Sequence, residues 1–252
     1  MIQISNLGHQ IGGTQILHDI TTRFPKGRLT ALIGPNGAGK STLLRLVGRL
    51  EPLQQGRITV AGHDVARTPT ADLARVMAIL GQQTAIASRL RLSELVAFGR
   101  WPHHQGRPGP ADRAKVAEAI DAFGLTPLQN RFLDEVSGGQ AQRAHIAMAF
   151  AQDTEWLLLD EPLNNLDMAH ARALMARLRD LVDRQGRSVG LVVHEINYAA
   201  AWADHVIAMK DGRIVAQGTP DAVLTQGVLS DLYDAPITVG RHKDRPLVLH
   251  HA

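Results

Sequence analysis

The stretch Gly34-Pro35-Asn36-Gly37-Ala38-Gly39-Lys40-Ser41-Thr42 carries the pattern G-x-x-x-x-G-K-[ST]. It lies between a strand-like run, Arg28 to Ile33, and a helical pattern from Ser41 to Arg49. Its glycines let the backbone curl so that successive N–H groups point at phosphate oxygens, and the helix N-terminus adds a positive dipole. Lys40 is predicted to reach the β- and γ-phosphates of a nucleotide, and the Ser41 hydroxyl to ligate Mg²⁺. The stretch therefore predicts a phosphate-binding loop between a strand and a helix.

A second motif, Trp156-Leu157-Leu158-Leu159-Asp160-Glu161, is an apolar strand that ends in two carboxylates. Asp160 is expected at the carboxyl edge of the sheet, close to the Mg²⁺ of the phosphate loop. Glu161, one residue further on, can polarise an attacking water as a general base. Many strands end in acidic residues, so the motif gains its meaning from the phosphate loop, and together they predict a nucleoside triphosphatase.

Strand and helix patterns alternate along the rest of the chain. Further strands are predicted at Ile2 to Ile4, Arg57 to Val60 and Gly190 to Val193, and an amphipathic helix at Ala171 to Gln185. Asp204 to Gln217 is typical of a hairpin that turns at Asp211-Gly212. The region from Leu92 to Gln152 is helical, with one apolar face made of Ala114, Val116, Ala117, Ala119, Ile120 and Phe123. Short apolar runs between helices indicate a parallel sheet in an α/β domain with a helical insertion.

Composition restricts the class of protein. Of 252 residues, 44% are hydrophobic and 20% charged, as in ordinary globular domains, and the formal net charge is +3. Because the basic residues are dispersed, we expect no nucleic-acid partner. Zero cysteines exclude disulfides and cysteine metal sites. No apolar run approaches a membrane span and the first ten residues lack a signal-peptide pattern, so we expect the protein to stay on the side of the membrane where it is made.

A third motif, Val136-Ser137-Gly138-Gly139-Gln140, begins a helical stretch. Its N–H groups, hydroxyl and helix dipole suit an anion. One chain has no second phosphate group for this loop, so the loop makes sense if it covers the γ-phosphate bound to a partner protomer. The alternative is that Ser137 is only a helix N-cap.

With these motifs in this order, the chain from Ile2 to about Tyr233 resembles the ABC ATPase family. The family's signature loop matches Ser137 to Gln140, with Val136 where the family usually has Leu. The D-loop matches Asn164-Asn165-Leu166-Asp167, and the switch histidine matches His194. The Q-loop glutamine matches Gln82, although the adjacent Gln83 leaves a one-residue ambiguity.

The resemblance implies a P-loop NTPase fold of the ABC ATPase type. It has a mainly parallel core sheet, an antiparallel β subdomain and an inserted helical subdomain. Residues 1–252 are then a single ABC ATPase domain, with the helical subdomain at roughly 85–152. Its ligands are ATP and Mg²⁺.

The resemblance also assigns roles within the site. Glu161, His194, Gln82 and Lys40 are implied to be catalytic, while Ser41, Gln82 and Asp160 are implied to hold Mg²⁺. ATP contacts are implied for Gly34 to Thr42 and for the signature and D-loop residues Ser137, Gly138, Gly139, Gln140 and Asp167. The adenine-stacking aromatic of the family corresponds here to Ile11, before Gly12, so we expect weaker ATP affinity and looser base selectivity.

Two further stretches resemble importers of iron–siderophore complexes, haem and vitamin B12. They are Leu92 to His104 and Ala149 to Met168, and the second is most similar to ferric-siderophore members. The implied partners are a second copy of the chain, two membrane permease subunits and, indirectly, an external substrate-binding protein. The implied location is the cytoplasmic face of a bacterial membrane. Alternatives are a haem or vitamin B12 importer, or a non-transport ABC ATPase acting as a nucleotide-dependent switch.

Two histidine pairs could suggest a metal, but both favour a solvated loop. They are His103-His104 and His250-His251. Neighbouring side chains in a helix do not converge on one face, so neither pair predicts a site. No function is predicted for the tail from Ile237 to Ala252.

Overall fold

The computed structural model describes residues 1–81 and 89–249. The predicted Q-loop residue Gln82, its neighbour Gln83, and the terminal pair His250-His251 lie outside the described residues. No helix in the described ranges is both long enough and apolar enough to cross a membrane.

A central sheet positions the predicted phosphate loop. Its strands, in the spatial order β10-β9-β3-β8-β7-β6, are β3 (Leu29–Ile33), β6 (Met77–Leu80), β7 (Trp156–Leu159), β8 (Ser188–Val192), β9 (His205–Lys210) and β10 (Arg213–Gly218). All neighbours run parallel except β9 and β10, which form the predicted hairpin. The carboxyl ends of β3, β7 and β8 therefore meet at one edge.

A smaller antiparallel sheet covers one side of the molecule. In the order β2-β1-β4-β5, its strands are β1 (Ile2–Ile11), β2 (Thr14–Phe24), β4 (Gln55–Val60) and β5 (His63–Asp64). The predicted strand from Ile2 to Ile4 is too short, because β1 continues through register shifts as far as Ile11.

The central sheet lies between two apolar layers. Successive side chains along its strands point alternately into one layer and the other. Leu157 packs with the helical layer, whereas Leu158 packs with the antiparallel sheet. This alternation follows from the two-residue period of a strand. Helix α1 (Lys40–Val47) buries Leu43 and Leu44 in the second layer, so it lies between the two sheets and begins at the phosphate loop.

Most of the described residues between β6 and β7 are helical. Helix α2 (Thr70–Val76) precedes β6, and the helices that follow are α3 (Leu92–Phe98), α4 (Trp101–His104), α5 (Pro110–Ala122) and α6 (Gly138–Ala151). The predicted apolar face of α5 is only partly correct, because Ala114 and Ala117 are exposed. Only the C-terminal part of α5 reaches the core, where Phe123, just beyond the helix, contacts Phe150 edge to face with ring centroids 5.5 Å apart.

The remaining elements follow β7. They are α7 (Met168–Gln185), α8 (Ile196–Trp202), α9 (Pro220–Val223), α10 (Gln226–Tyr233), β11 (Thr238–His242) and β12 (Arg245–Leu249). The last two strands form a hairpin that docks on α8, because Asn197 hydrogen-bonds both the N–H and the carbonyl of Val248. A mainly parallel sheet, an antiparallel sheet and a helical insertion confirm the predicted fold class.

Candidate nucleotide site

The predicted phosphate loop emerges from the carboxyl end of β3 and is shaped by two glycines. Gly34 has φ of 142°, and a Cβ there would lie 2.0 Å from the carbonyl oxygen of Met209. Gly39 has φ of 90°, and a Cβ there would lie 2.6 Å from a methyl carbon of Leu17. Both positions combine a backbone conformation that favours glycine with a close neighbour. The loop is therefore packed closely against β9 and β2.

Lys40 fastens the loop from inside. Its side chain is only 5% exposed, and Nζ donates hydrogen bonds to the carbonyl oxygens of Gly34 and Pro35, each at 2.8 Å. Burial lowers the pKa of Lys40, and the nearby Glu161 and Asp160 carboxylates oppose that effect. The ammonium is therefore in position to exchange loop carbonyls for phosphate oxygens.

Ser41 and Asp160 form the pair that the two motifs predicted. The Ser41 hydroxyl donates a 2.8 Å hydrogen bond to Oδ1 of Asp160, which is only 3% exposed. Burial raises the pKa of Asp160, and the hydrogen bond from Ser41 partly offsets this. Among described atoms, Oδ2 of Asp160 is buried without a hydrogen-bond partner. A buried carboxylate oxygen without a partner beside a hydroxyl suits an oxygen-seeking cation such as Mg²⁺.

Glu161 lines the cavity of the phosphate loop and is held there by two side-chain contacts. Its Oε1 lies 2.7 Å from Nε2 of His194, and its Oε2 accepts a 2.6 Å hydrogen bond from Nδ2 of Asn164. Glu161 has a φ of 51°, an uncommon conformation for a residue with a side chain and one that occurs often at functional sites. The structure thus brings together the predicted base and the predicted switch histidine, which end neighbouring strands.

One cavity joins these residues. It has a volume of about 270 Å³ and is lined by Ile11, Ile16, residues 36–42, Glu161 and His194. Ile11 stands at its mouth with 49% of its surface exposed, at the end of β1. An aliphatic side chain at this position can pack against a nucleotide base. Ile16 also lines the cavity and was not predicted from the sequence.

The predicted signature loop lies at a separate cavity. Ser137 caps α6, because Oγ accepts the N–H of Gln140 at 3.3 Å while the Gln140 side chain accepts the N–H of Ser137 at 3.0 Å. Ser137 is therefore a helix N-cap, as the capping alternative predicted, and the N–H groups of Gly138 and Gly139 precede the first residue that can bond within the helix.

The signature loop packs on the predicted D-loop. A Cβ on Gly139 would lie 2.8 Å from the carbonyl oxygen of Asn165. Asp167 caps α7 by accepting the N–H of His170 at 2.8 Å, and this bond and a second one from the imidazole of His170 lower the pKa of Asp167. The two loops line a cavity of about 310 Å³ with Arg143 and His170, which the sequence analysis missed although Arg143 follows Gln140 by one helical turn.

The two cavities share no lining residue within the described ranges. Within the described residues, a single chain therefore presents its phosphate loop and its signature loop at two separate cavities.

His103 and His104 lie half-buried in α4, so the prediction that this pair forms a solvated loop is wrong. His103 Nε2 lies 2.7 Å from the carbonyl oxygen of Gln152, and His104 Nδ1 accepts the N–H of Gly106 at 3.0 Å. No group of three or more histidine and acidic side chains in the described part of the chain could hold a metal ion.

The chain matches a known protein family and several of its characterised members. Residues 17–164 match the model of the family described as ABC transporter. Over 239 residues, 95% of each chain, the sequence is 41% identical to the petrobactin import ATP-binding protein YclP of Bacillus subtilis. Over 224 residues, 88% of this chain and 83% of that one, it is 38% identical to the ferric enterobactin transport ATP-binding protein FepC of Escherichia coli.

Solved structures agree with these sequence relatives. An inward-facing metal-chelate type ABC transporter matches with a TM-score of 0.83 and 26% identity, over 98% of this chain and 95% of that chain. A dimeric bacterial ABC transporter cassette matches with a TM-score of 0.78 and 25% identity, over 87% of this chain and 98% of that chain.

Proposed function

The chain belongs to the ABC transporter family and is an ATPase, and we propose that it powers import of an iron–siderophore complex through separate membrane permease subunits. The observation that carries the motor role is the separation of its two half-sites, the cavity of the phosphate loop and the cavity of the signature loop. The similarity to siderophore-import ATPases supports the choice of substrate.

Two copies complete each other's sites when they meet head to tail. The loop from Gly34 to Thr42 of one protomer then binds the phosphates of ATP, and Ser137 to Gln140 of the other covers the γ-phosphate. A twofold arrangement of this kind contains two identical sites, so two ATP molecules close the dimer together. Reopening after hydrolysis moves the permease subunits.

Hydrolysis depends on positioning and on neutralising charge. Lys40 leaves its carbonyl partners to bind the β- and γ-phosphates, and Glu161 takes a proton from the water that attacks the γ-phosphorus in line. His194, whose Nε2 lies 2.7 Å from Oε1 of Glu161, contacts the γ-phosphate and orients that carboxylate. Gly138 and Gly139 present backbone N–H groups from the partner, and Asp167 holds the loop beside them.

The Ser41 hydroxyl and the Asp160 carboxylate hold Mg²⁺ in this proposal. The unpaired Oδ2 of Asp160 and the hydroxyl that donates to Oδ1 are the oxygen ligands that this ion prefers. The ion supplies positive charge that neutralises the triphosphate. Gln82 is assigned to the same site by family resemblance alone.

The wider assembly follows from the motor role. The proposed partners of the chain are two permease subunits and, indirectly, an external substrate-binding protein, with no nucleic acid. Its proposed location is peripheral, at the cytoplasmic face of a bacterial membrane. Residues 1–252 form one ATPase domain with a helical subdomain at roughly 85–152. Haem import, vitamin B12 import and a non-transport switch are the alternatives that an uptake experiment separates.

The test is radio-iron uptake from several ferric siderophores in cells that lack this chain. The cells are complemented with the native chain, with Glu161→Gln, or with Glu118→Gln, a matched change on the exposed side of α5. We expect loss of uptake for at least one siderophore, rescued by the native chain and by Glu118→Gln but not by Glu161→Gln. Unchanged uptake of every siderophore contradicts iron transport, and haem and vitamin B12 uptake are then measured in the same strains.

A further inference from the structure

Met168 is an apolar side chain in an exposed position. It is 83% exposed, more than any other large hydrophobic side chain that the structure describes as exposed. It is the first residue of α7 and directly follows Asp167, which caps that helix. Exposing so much apolar surface costs free energy, so a partner that buries it is favoured.

An apolar pocket lies next to His194, which lines both this pocket and the nucleotide cavity. It has a volume of about 440 Å³ and is lined by His194, Glu195, Ile196, Tyr233, Ala235, Pro236 and Ile237. Ile196 and Ile237 form a buried floor, while Ala235 and Pro236 form an exposed rim. Burial raises the pKa of Tyr233 to about 12, so its phenol is neutral at physiological pH.

The chain path shows which surfaces meet in a head-to-tail dimer. From Glu161, which lines the nucleotide cavity, the D-loop runs to Asp167, which lines the signature cavity of the same protomer. This segment therefore crosses from one half-site to the other and lies toward the twofold axis. His194 contacts Glu161 at 2.7 Å, so His194 also lies on the axis side of its nucleotide cavity.

A signature loop that covers the partner's phosphate loop brings its own D-loop with it, because Gly139 packs directly on Asn165. The start of α7 then faces the axis side of the partner's nucleotide cavity, where His194 separates that cavity from the apolar pocket. We propose that Met168 of each protomer inserts into the partner's pocket formed by Ile196, Tyr233, Pro236 and Ile237. This contact rests on the proposed head-to-tail dimer. It buries the apolar surface of Met168 only when the dimer closes, and it therefore couples closure to the pocket that His194 lines.

Site-directed cross-linking tests the contact, and the natural chain contains no cysteine that could interfere. Met168→Cys and Pro236→Cys are made in separate chains that carry different tags and Glu161→Gln, mixed with ATP and Mg²⁺, and oxidised. We expect an interprotomer disulfide that requires ATP and joins the two tags, identified by mass spectrometry. A Met168→Cys chain that cross-links mainly to itself shows that two Met168 side chains meet at the axis, and overturns the proposal.

A second pair, Asn36→Cys with Ser137→Cys, reports the head-to-tail dimer itself. If this pair forms an ATP-dependent disulfide and the Met168→Cys and Pro236→Cys pair does not, the dimer stands and the proposed contact is wrong. If neither pair reacts, the proposed dimer fails together with the contact.

Charge placed at Met168 gives an independent readout. In the Glu161→Gln background, Met168→Asp is expected to weaken ATP-dependent dimerisation at least about tenfold by sedimentation, while Met168→Leu retains it. Asp at the first position of a helix favours the helix dipole, so the variant should stay folded. Val215→Asp, at another exposed apolar position, is the matched control and should dimerise normally. Equal dimerisation by Met168→Asp and the control overturns the proposal.

Discussion

Nε2 of His194 lies 2.7 Å from Oε1 of Glu161, at the carboxyl ends of two adjacent parallel strands. The other carboxylate oxygen of Glu161 accepts a hydrogen bond from Asn164, so each oxygen of this carboxylate has a side-chain partner. The D-loop residue Asn164 thereby links the predicted base to the surface that we propose meets a second protomer. Closure of a dimer that moves the D-loop changes the surroundings of Glu161, which offers a physical route for making hydrolysis depend on the partner.

Replacement of the base is the most direct test of the site. Glu161→Gln keeps the shape of the side chain but removes its capacity to accept a proton, so the rate of ATP hydrolysis should fall by about 10²–10⁴-fold. The variant should accumulate as an ATP-bound dimer, which size-exclusion chromatography with light scattering detects. Glu118→Gln should behave as the native chain does. Rapid turnover by Glu161→Gln would remove Glu161 as the base.

The buried Asp160 predicts a pH-dependent stability. Because burial raises its pKa, the folded chain holds a proton on Asp160 more tightly than the unfolded chain does. The free energy of unfolding therefore decreases as pH rises through the folded-state pKa of Asp160. Asp160→Asn should make the nucleotide-free chain more stable to urea at pH 7.5, and the gain should shrink toward pH 4.

An exposed carboxylate provides the control for that experiment. Asp231→Asn should leave the unfolding midpoint nearly unchanged at both pH values. A loss of stability in Asp160→Asn at pH 7.5 would mean that the ionised carboxylate is stabilised by its surroundings. Asp160→Asn should also lose the Mg²⁺ dependence of ATP binding, measured by calorimetry with and without the ion.

Alanine substitution of a glycine in the phosphate loop and of a glycine in α10 should change the unfolding free energy very differently. In Gly34→Ala the new Cβ meets the carbonyl oxygen of Met209 and the backbone must leave its φ of 142°, so we expect a loss of at least about 2 kcal/mol of unfolding free energy and of ATP binding. Gly227 in α10 has no atom within 4 Å of an added Cβ, and Gly227→Ala should be neutral or slightly stabilising. Thermal denaturation compares both with the native chain. Equal stability of the two variants contradicts the proposed packing of the loop on β9.

Replacing Ile11, at the mouth of the nucleotide cavity, with an aromatic residue should tighten ATP binding. Ile11→Tyr adds a ring that can stack on adenine, a term of about 0.5–1.5 kcal/mol, so the Kd for ATP should fall by roughly two- to tenfold. Ile11→Leu keeps the side chain aliphatic and should leave the Kd nearly unchanged. Preference for ATP over other nucleoside triphosphates should increase in Ile11→Tyr. If titration calorimetry finds no tighter binding, Ile11 does not cover the base.

The sequence by itself determined the local chemistry of this protein. Gly34 to Thr42 must form a phosphate loop because its glycines, lysine and serine are placed for one ligand, and the apolar run before Asp160 must be a buried strand. From these local rules and the alternation of strands and helices, the parallel sheet and the edge that carries Ser41, Asp160 and Glu161 could be predicted.

Only the tertiary structure decided which segments that are distant in sequence contact one another around the nucleotide cavity. The 2.7 Å contact of His194 with Glu161, the approach of Ile11 from the second sheet, and the pocket that joins Ile196 to Ile237 each depend on how whole layers pack. The boundaries of β1 and the exposed half of α5 were mispredicted for the same reason. Sequence spacing specifies which side chains share a strand or a helix face, but burial is set by long-range contacts between elements, and those have no local pattern.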